Sequence, residues 1–453
     1  MAGAPPQTIH RRKLGFWMCV ALVVGNMIGS GVFLLPRDLA PLGWNSVYGW
    51  LVTIAGTLCL VTVLTRLARG RADSCGPFSY PAAAFGQGVG FVVAWSYWIS
   101  IWVTNATLAV AVVRNLAFLA PGLADPALGA SIAIGVVWLF TLVNCLGVRT
   151  AGSVQVLTVL LKLLPLGGAI LVAVWLLGRG ETALAPHGSV PIDLAGINAA
   201  GTFTLFAMLG FESAMAAGER VENADRTVPR ATIWGTAITG LIYLLACSAV
   251  TLMLPAAAIA DSQAPFALFF GELVSPQAGA LVALFAAIAA LGAINGFVLL
   301  QGELPLSLVR SRLLPAWLGA ENRREAPYRI HIFSSALATI LILLNYSRGL
   351  ADLFQFMVLV TTSVTIIFYV AGALAALRLA ANGQIETSAT FVAIALAGLV
   401  YSLWALYGAG IEASLWSIGM TLVGLPLYLI MRLAKRPSRA PAANPASSPE
   451  SAA

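Results

Sequence analysis

The 453-residue chain is 59% hydrophobic and only 9% charged, with a mean hydropathy of +0.89. A soluble domain of this size needs far more surface charge, so the composition excludes one and indicates an all-α polytopic membrane protein. The net charge of +7 is spread over short loops between apolar runs, which excludes nucleic acid as a partner and makes the charge a marker of topology.

Charge-free or nearly charge-free stretches long enough to span a bilayer recur twelve times. They lie at 14–36, 46–65, 90–118, 128–148, 153–178, 195–218, 231–254, 276–303, 330–346, 351–377, 387–410 and 413–431. The basic residues His10-Arg11-Arg12-Lys13 before the first run resemble the start of a signal peptide. The run is too long for one and no small-residue cleavage site follows, so it reads as the first span.

That span is predicted to break in its middle, at Gly25-Asn26-Met27-Ile28-Gly29-Ser30-Gly31. Each glycine costs a helix about 1 kcal/mol relative to alanine, and lipid cannot satisfy the freed backbone groups. The break must therefore face protein or an aqueous cavity. Between spans two and three, Gly76-Pro77-Phe78-Ser79-Tyr80-Pro81 reads as a re-entrant or interfacial segment, because two prolines would break a span. The following Gly86-Gln87-Gly88-Val89-Gly90 looks like a phosphate-cradling loop, but no strand precedes it. A second break is expected in span six, at Leu209-Gly210-Phe211-Glu212.

Two interrupted helices in matching places point to a secondary transporter with inverted repeats, five spans in each half. The expected layout is a cytoplasmic N-terminus (1–13), a transport core (14–380), two extra helices (381–433) and a disordered cytoplasmic tail (434–453), Pro/Ala/Ser-rich after Lys435. Of the 25 lysines and arginines, Arg114 and Lys162 fall within spans and Arg37, Arg179 and Arg348 on one side; the other twenty share the side of both termini. By the positive-inside rule both ends are cytoplasmic. Arg114 ends span three and is placed at the outer interface.

The chemistry of the breaks suits a zwitterion. Amides of Gly29, Ser30 and Gly31 at the start of a half-helix favour a carboxylate by about 0.3 to 2 kcal/mol, and carbonyls of Phe206, Ala207 and Leu209 at the end of another favour an ammonium. The competing explanation is that the glycines only let helices pack closely. Glu212 and Lys162 are ionisable residues inside spans, where an unpaired charge costs about 2.5 to 3.5 kcal/mol. Glu212 is a candidate proton carrier or a static hydrogen-bond partner of the break; Lys162 either meets the first break or snorkels to an interface. Glu219-Arg220-Val221-Glu222-Asn223, with Asp225 and Arg226, is either an inner gate with Arg71 or Arg329 or a solvated loop. Five scattered cysteines and three distant histidines imply no disulfide, metal site or cofactor.

Four stretches carry a resemblance: Gly29-Ser30-Gly31-Val32-Phe33-Leu34-Leu35-Pro36, Tyr48-Gly49-Trp50-Leu51-Val52-Thr53, Gly210-Phe211-Glu212-Ser213-Ala214 and Val228-Pro229-Arg230-Ala231-Thr232-Ile233. Together they resemble the amino acid/polyamine/organocation superfamily, and within it the basic amino acid/polyamine antiporters. The resemblance implies a LeuT-type five-plus-five inverted repeat with discontinuous helices 1 and 6, and a homodimer in the cytoplasmic (inner) membrane. From the arginine/agmatine-exchanging members it implies carboxylate binding at Ser30 and Gly31. It also implies substrate contacts from Ser100, Asn105 and Thr361, and gating or proton coupling at Tyr97, Glu212 and Tyr369; Asn26 and Ile28, within the first break, are further candidate substrate contacts. Those members carry tryptophans where this chain has Phe206 and Phe297, which give a weaker cation–π contact of about 0.5 to 2 kcal/mol. They also have a small apolar residue where Lys162 stands. By resemblance its ammonium would replace a sodium ion and bond carbonyls around Gly25 and Ile28, leaving proton coupling or plain exchange.

The expected function is transport of amino acids or their amine products by alternating access, by exchange of arginine/agmatine or related cationic substrates. The alternatives are proton symport of neutral amino acids and, further off, a non-transporting sensor. An enzyme is disfavoured by the lack of a Ser/His/Asp set, metal-ligand spacing or nucleotide loop.

Overall fold

The computed structural model describes residues 15–29, 31–68, 79–146, 152–180, 190–212, 221 and 223–434. The N-terminal arm, Ser30, the stretch 76–78, most of the cluster after Glu212 and the C-terminal tail lie outside them. In chain order the helices are α1 (Phe16–Met27), α2 (Pro36–Leu39), α3 (Asn45–Ala68), α4 (Ser79–Phe85), α5 (Gln87–Leu119), α6 (Pro126–Cys145), α7 (Gly152–Gly178) and α8 (Leu194–Met208). They continue as α9 (Ala224–Met253), α10 (Ala256–Asp261), α11 (Pro265–Leu273), α12 (Pro276–Arg310), α13 (Tyr328–Asn345), α14 (Leu350–Ala381), α15 (Ala389–Gly408) and α16 (Gly410–Ala434).

Among the described residues, ten helices are long and apolar enough to cross a membrane, and two more apolar helices, Phe16–Met27 and Leu194–Met208, are shorter. These two are the segments in which the sequence predicts a break. Helix starts are fixed by short polar side chains that accept a free backbone N–H: Asp125 from Leu128, Asp193 from Gly196, Ser275 from Ala278 and Ser388 from Phe391. Each such cap contributes about 1 kcal/mol. The segment expected to be re-entrant is the short helix α4 in its described part, with Pro81 in the first turn, where a missing N–H matters little. Gly86, at φ +92°, turns the chain into α5.

Helix α5 runs about 50 Å at 1.5 Å per residue. Its most apolar window is 94% buried, against 72% for α14 and 22% for α16, so α5 and α14 form the centre and α16 the periphery. An apolar helix buried all round belongs to a core. Helices α12 and α14 pack on α5, α8 and α9 pack on α3, and α9 packs on α1. Small residues permit the approach: a Cβ added at Gly49 of α3 would lie 2.4 Å from Ala200 Cβ of α8. The two short helices thus end beside one another within this bundle.

Candidate functional site

Helix α1 stops at Met27. Ile28 leaves the helical region (φ −71°, ψ 87°), and the Gly29 amide turns back onto the Met27 carbonyl at 2.8 Å. The chain resumes at Gly31–Phe33 as a 3-10 turn, then as α2 with Pro36 at its start. Tyr243 of α9 donates its hydroxyl to the same Met27 carbonyl at 2.9 Å, so protein groups satisfy what the break frees.

Helix α8 stops at Met208, and Leu209 is extended. Gly210 follows at φ +105°, a left-handed conformation that favours glycine. A Cβ there would stand 2.9 Å from the Asn26 carbonyl oxygen. The two interruptions therefore touch. Glu212 reaches back with Oε2 to accept the Gly210 amide at 2.9 Å, and the Tyr369 hydroxyl of α14 donates to Oε1.

Between the breaks lies a cavity of about 30 Å³ lined by Asn26, Met27, Gly29, Gly31, Val32, Thr104, Leu108, Phe206, Ala207, Leu209, Tyr243 and Phe297. It brings together Asn26, Gly29, Gly31, Phe206, Ala207, Leu209 and Phe297 from the residues the sequence proposes for binding. That volume holds a water or two and no amino acid, whose pockets run to hundreds of cubic ångströms. The ring of Phe206 closes it: a Cβ at Gly31 would lie 2.4 Å from Phe206 Cε1.

The other expected contacts lie elsewhere. Ser30 is outside the described residues. Ile28 is fully buried, and Ser100 spends its hydroxyl on the Tyr97 carbonyl at 2.7 Å. Asn105 donates to Gln301 at 2.7 Å, and Gln301 in turn donates to Ser335 at 3.2 Å. The Thr361 hydroxyl is buried without a partner among the described residues. The cavity face of α5 is Thr104 and Leu108, one residue round the helix from Asn105. The i, i+4 spacing from Ser100 carries that signal. Phe206's carbonyl, expected to face an ammonium, already accepts the Leu209 amide at 3.2 Å, and the Gly29 amide is likewise turned inward.

A family model described as amino acid permease matches residues 14–430. The chain belongs to this family. It lies in the amino acid/polyamine/organocation superfamily, with the basic amino acid/polyamine antiporters. The putrescine transporter PotE of Haemophilus influenzae is 28% identical over 421 residues, covering 92% of the permease and 96% of that relative. The cadaverine/lysine antiporter of Escherichia coli K12 is 30% identical over 348 residues, covering 76% and 78%. The Escherichia coli K12 PotE is 28% identical over 429 residues, covering 92% and 95%.

Around Glu212 the permease gathers aromatic rings. Phe211 stacks on Tyr369 with centroids 5.6 Å apart, and Tyr97 of α5 meets Phe368 at 5.3 Å. Lys162 of α7 is buried, yet among the described residues it makes no ion pair and no hydrogen bond, so the expected bonds to carbonyls around Gly25 and Ile28 are not formed. A buried, unpaired ammonium is costly, and burial favours the neutral amine. Arg329 donates to the Trp317 carbonyl and the Tyr328 hydroxyl; Arg71 and most of the acidic and basic cluster named with it as an inner gate lie outside the described residues.

Arg114 corrects the sequence reading. It is fully buried rather than at an interface, with Nε on Gln263 and Nη2 on the Ser262 carbonyl, each at 3.3 Å, and its guanidinium 5.2 Å over the Phe354 ring. The loop between α10 and α11 folds over the end of α5, and a cover so distant in sequence leaves no trace in the apolar pattern. Phe354 in turn meets Phe206 edge-on at 6.4 Å. Beside them Arg37 bonds Asp352 at 3.0 Å and the Ala260 carbonyl at 3.0 Å, and lies 3.5 Å from Asp38. Two rings and four charges thus stack outward from the cavity.

Proposed function

We propose that this permease exchanges a cationic amino acid and its decarboxylated amine across the cytoplasmic membrane by alternating access. The observation that carries the reading is the meeting of the two helix breaks, with Gly210 against the Asn26 carbonyl. Two interrupted helices that expose backbone dipoles at one point are the device by which such transporters hold small charged solutes. The relatives named for putrescine and for cadaverine/lysine support an aliphatic diamine or its parent amino acid over a guanidinium compound. The phenylalanines Phe206 and Phe297 at the cavity agree with that preference.

In this reading the interrupted helices are the first and sixth of twelve spans, α1 to α14 form an inverted five-plus-five repeat, and α15 and α16 are additions. Both ends are cytoplasmic. The support is the arginine and lysine bias and the placement of the breaks five spans apart. Pairing of two copies through α15 and α16 belongs to the same proposal, supported by α16 being the span least covered by its own chain. Substrate enters by displacing Phe206 from Gly31, and Glu212 takes up or releases a proton as its bonds to Gly210 and Tyr369 break.

A second reading rests on a specific observation: among the described residues no acidic side chain lines the cavity, and Lys162 is buried without an acidic partner. That arrangement suits a neutral amino acid moving with a proton. Proteoliposomes decide between the two. Exchange predicts uptake of radiolabelled lysine, ornithine, cadaverine or putrescine only with substrate inside. Leucine uptake driven by a pH gradient into empty liposomes, abolished by Lys162→Ala, overturns it.

A further inference from the structure

A groove of about 420 Å³ runs between the end of α6 and the start of α13, lined by Trp138, Leu142, Leu146 and Ile332, with Thr141, Cys145, Asn322 and Tyr328 completing its walls. Its few polar groups are already engaged. Thr141 pairs with Ser335 at 2.6 Å, Trp138 donates to Thr339 at 3.0 Å, and Asn322 donates to the Cys145 carbonyl while accepting the amides of Arg324 and Ala326. A polar solute finds nothing to bind there, whereas a hydrocarbon chain does. From Leu146 to Trp138 the wall is about 12 Å long at 1.5 Å per residue. One leaflet of a bilayer's hydrocarbon core is about 15 Å deep, so the groove has the reach of an acyl chain in one leaflet.

Its mouth is basic. Arg324 donates to the Leu146 carbonyl, and Arg329 to the Tyr328 hydroxyl at 3.0 Å, so two guanidinium groups are tied to the groove's own lining. Arg323, next to Arg324 in the chain, is exposed, as is Glu325, which forms no ion pair among the described residues. Among the described residues, only Arg310 of this loop has an acidic partner, Glu321. Each guanidinium carries five N–H donors, so Arg324 and Arg329 keep several free. We propose that this groove binds one anionic glycerophospholipid of the adjoining leaflet, an acyl chain along Leu142 and Ile332 and the phosphate among Arg323, Arg324 and Arg329. Apolar walls select a lipid over free phosphate, and the uncompensated arginines select an anionic headgroup over a zwitterionic one.

Native mass spectrometry of the delipidated full-length protein tests this with dioleoyl phosphatidylglycerol, dioleoyl phosphatidylcholine and soluble glycerol phosphate. The expected result is one tightly retained phosphatidylglycerol, about tenfold preferred over phosphatidylcholine, with glycerol phosphate failing to displace it. Arg323→Gln with Arg324→Gln should erase the preference and leave equal retention of the two lipids. Leu142→Trp, which fills the groove without touching the arginines, should remove retention of both. Arg323→Gln alone alters only an exposed side chain, and if the double variant does not fold it should still lower the preference several-fold. Equal retention of the two lipids by the unaltered protein, displacement by glycerol phosphate, or a wild-type preference in the arginine variants overturns the proposal.

Discussion

On the Arg37 side of the cavity the permease closes with charges, and on the Glu212 side it closes with aromatic rings around a carboxyl group. The same two central helices supply both closures. Helix α5 gives Arg114 to one and Tyr97 to the other, and α14 gives Asp352 and Phe354 to one and Phe368 and Tyr369 to the other. In each helix the two contributions stand about 25 Å apart along the axis. The charged closure holds Arg37, Asp38, Arg114 and Asp352, whose formal charges cancel, and part of it is open to solvent: Asp352 is 60% exposed. Water entering there replaces the Arg37–Asp352 pair with hydration, so breaking that pair costs about 1 kcal/mol or less. The aromatic closure has Glu212 as its acid, fully engaged by Gly210 and Tyr369. Separating it strands a carboxylate unless a proton arrives. In the proposed exchange cycle this contrast would give the two sides different triggers, hydration for one and protonation for the other.

The largest effect should come from the one charged residue that the Arg37 side buries completely. Arg114→Ala removes the cation over Phe354, strips Gln263 and the Ser262 carbonyl of their donor and leaves a void. Together these should lower stability by about 3 kcal/mol or more, read as a fall in melting temperature of the purified protein. A melting curve unchanged from wild type would mean that the charged closure does not depend on its buried member, and the contrast would fail on that side.

Tyr369→Phe should come next. It preserves the stack on Phe211 and deletes only the hydroxyl that donates to Glu212, at a cost of about 2 kcal/mol for a hydrogen bond to an ionised acceptor. Glu212→Gln on the same side should have a smaller effect on melting, because an amide oxygen still accepts the Gly210 amide. Its effect should appear in transport: uptake falling about tenfold, some 1.4 kcal/mol, with the residual uptake no longer varying with pH. Proteoliposome rates across a pH series check this, and a pH profile unchanged from wild type would remove the proton from the Glu212 side.

How much of this could be read beforehand differs between the closures for a physical reason. The apolar runs locate the long helices, with ends displaced by up to seven residues, because lipid imposes a length and a polarity that sequence displays directly. Both breaks were legible too, the first from glycine density and the second from Gly210 beside an intramembrane acid. Glu212 and Tyr369 lie in recognisable places, and the structure joins them. The burial of Arg114 is not legible, because its cover comes from the loop between α10 and α11, far away in sequence. Nor does the sequence distinguish Thr104 from Asn105, because a helix with little amphipathic bias does not reveal which of two adjacent positions faces inward. The closed size of the cavity was not legible at all, since it depends on the rotamer of Phe206.

The smallest effect, and the sharpest separation, should come from Asp352→Asn, which removes the exposed ion pair and leaves the bond of Arg37 to the Ala260 carbonyl and its contact with buried Asp38 in place. The Arg37–Asp352 pair is between partly exposed groups, with side chains 21% and 60% accessible, so it should contribute no more than about 1 kcal/mol. Salt then distinguishes the two closures without further substitution. Raising ionic strength to about 1 M shrinks the screening length to about 3 Å, comparable with the Arg37–Asp352 separation. The wild type should therefore lose in high salt what Asp352→Asn has already lost, and the gap between their melting temperatures should close. The gap between wild type and Tyr369→Phe should stay open under the same change, because no counter-ion reaches a hydroxyl and carboxyl buried between α8 and α14. If salt closes both gaps or neither, the two sides are held by the same kind of interaction, and separate triggers for them have no basis.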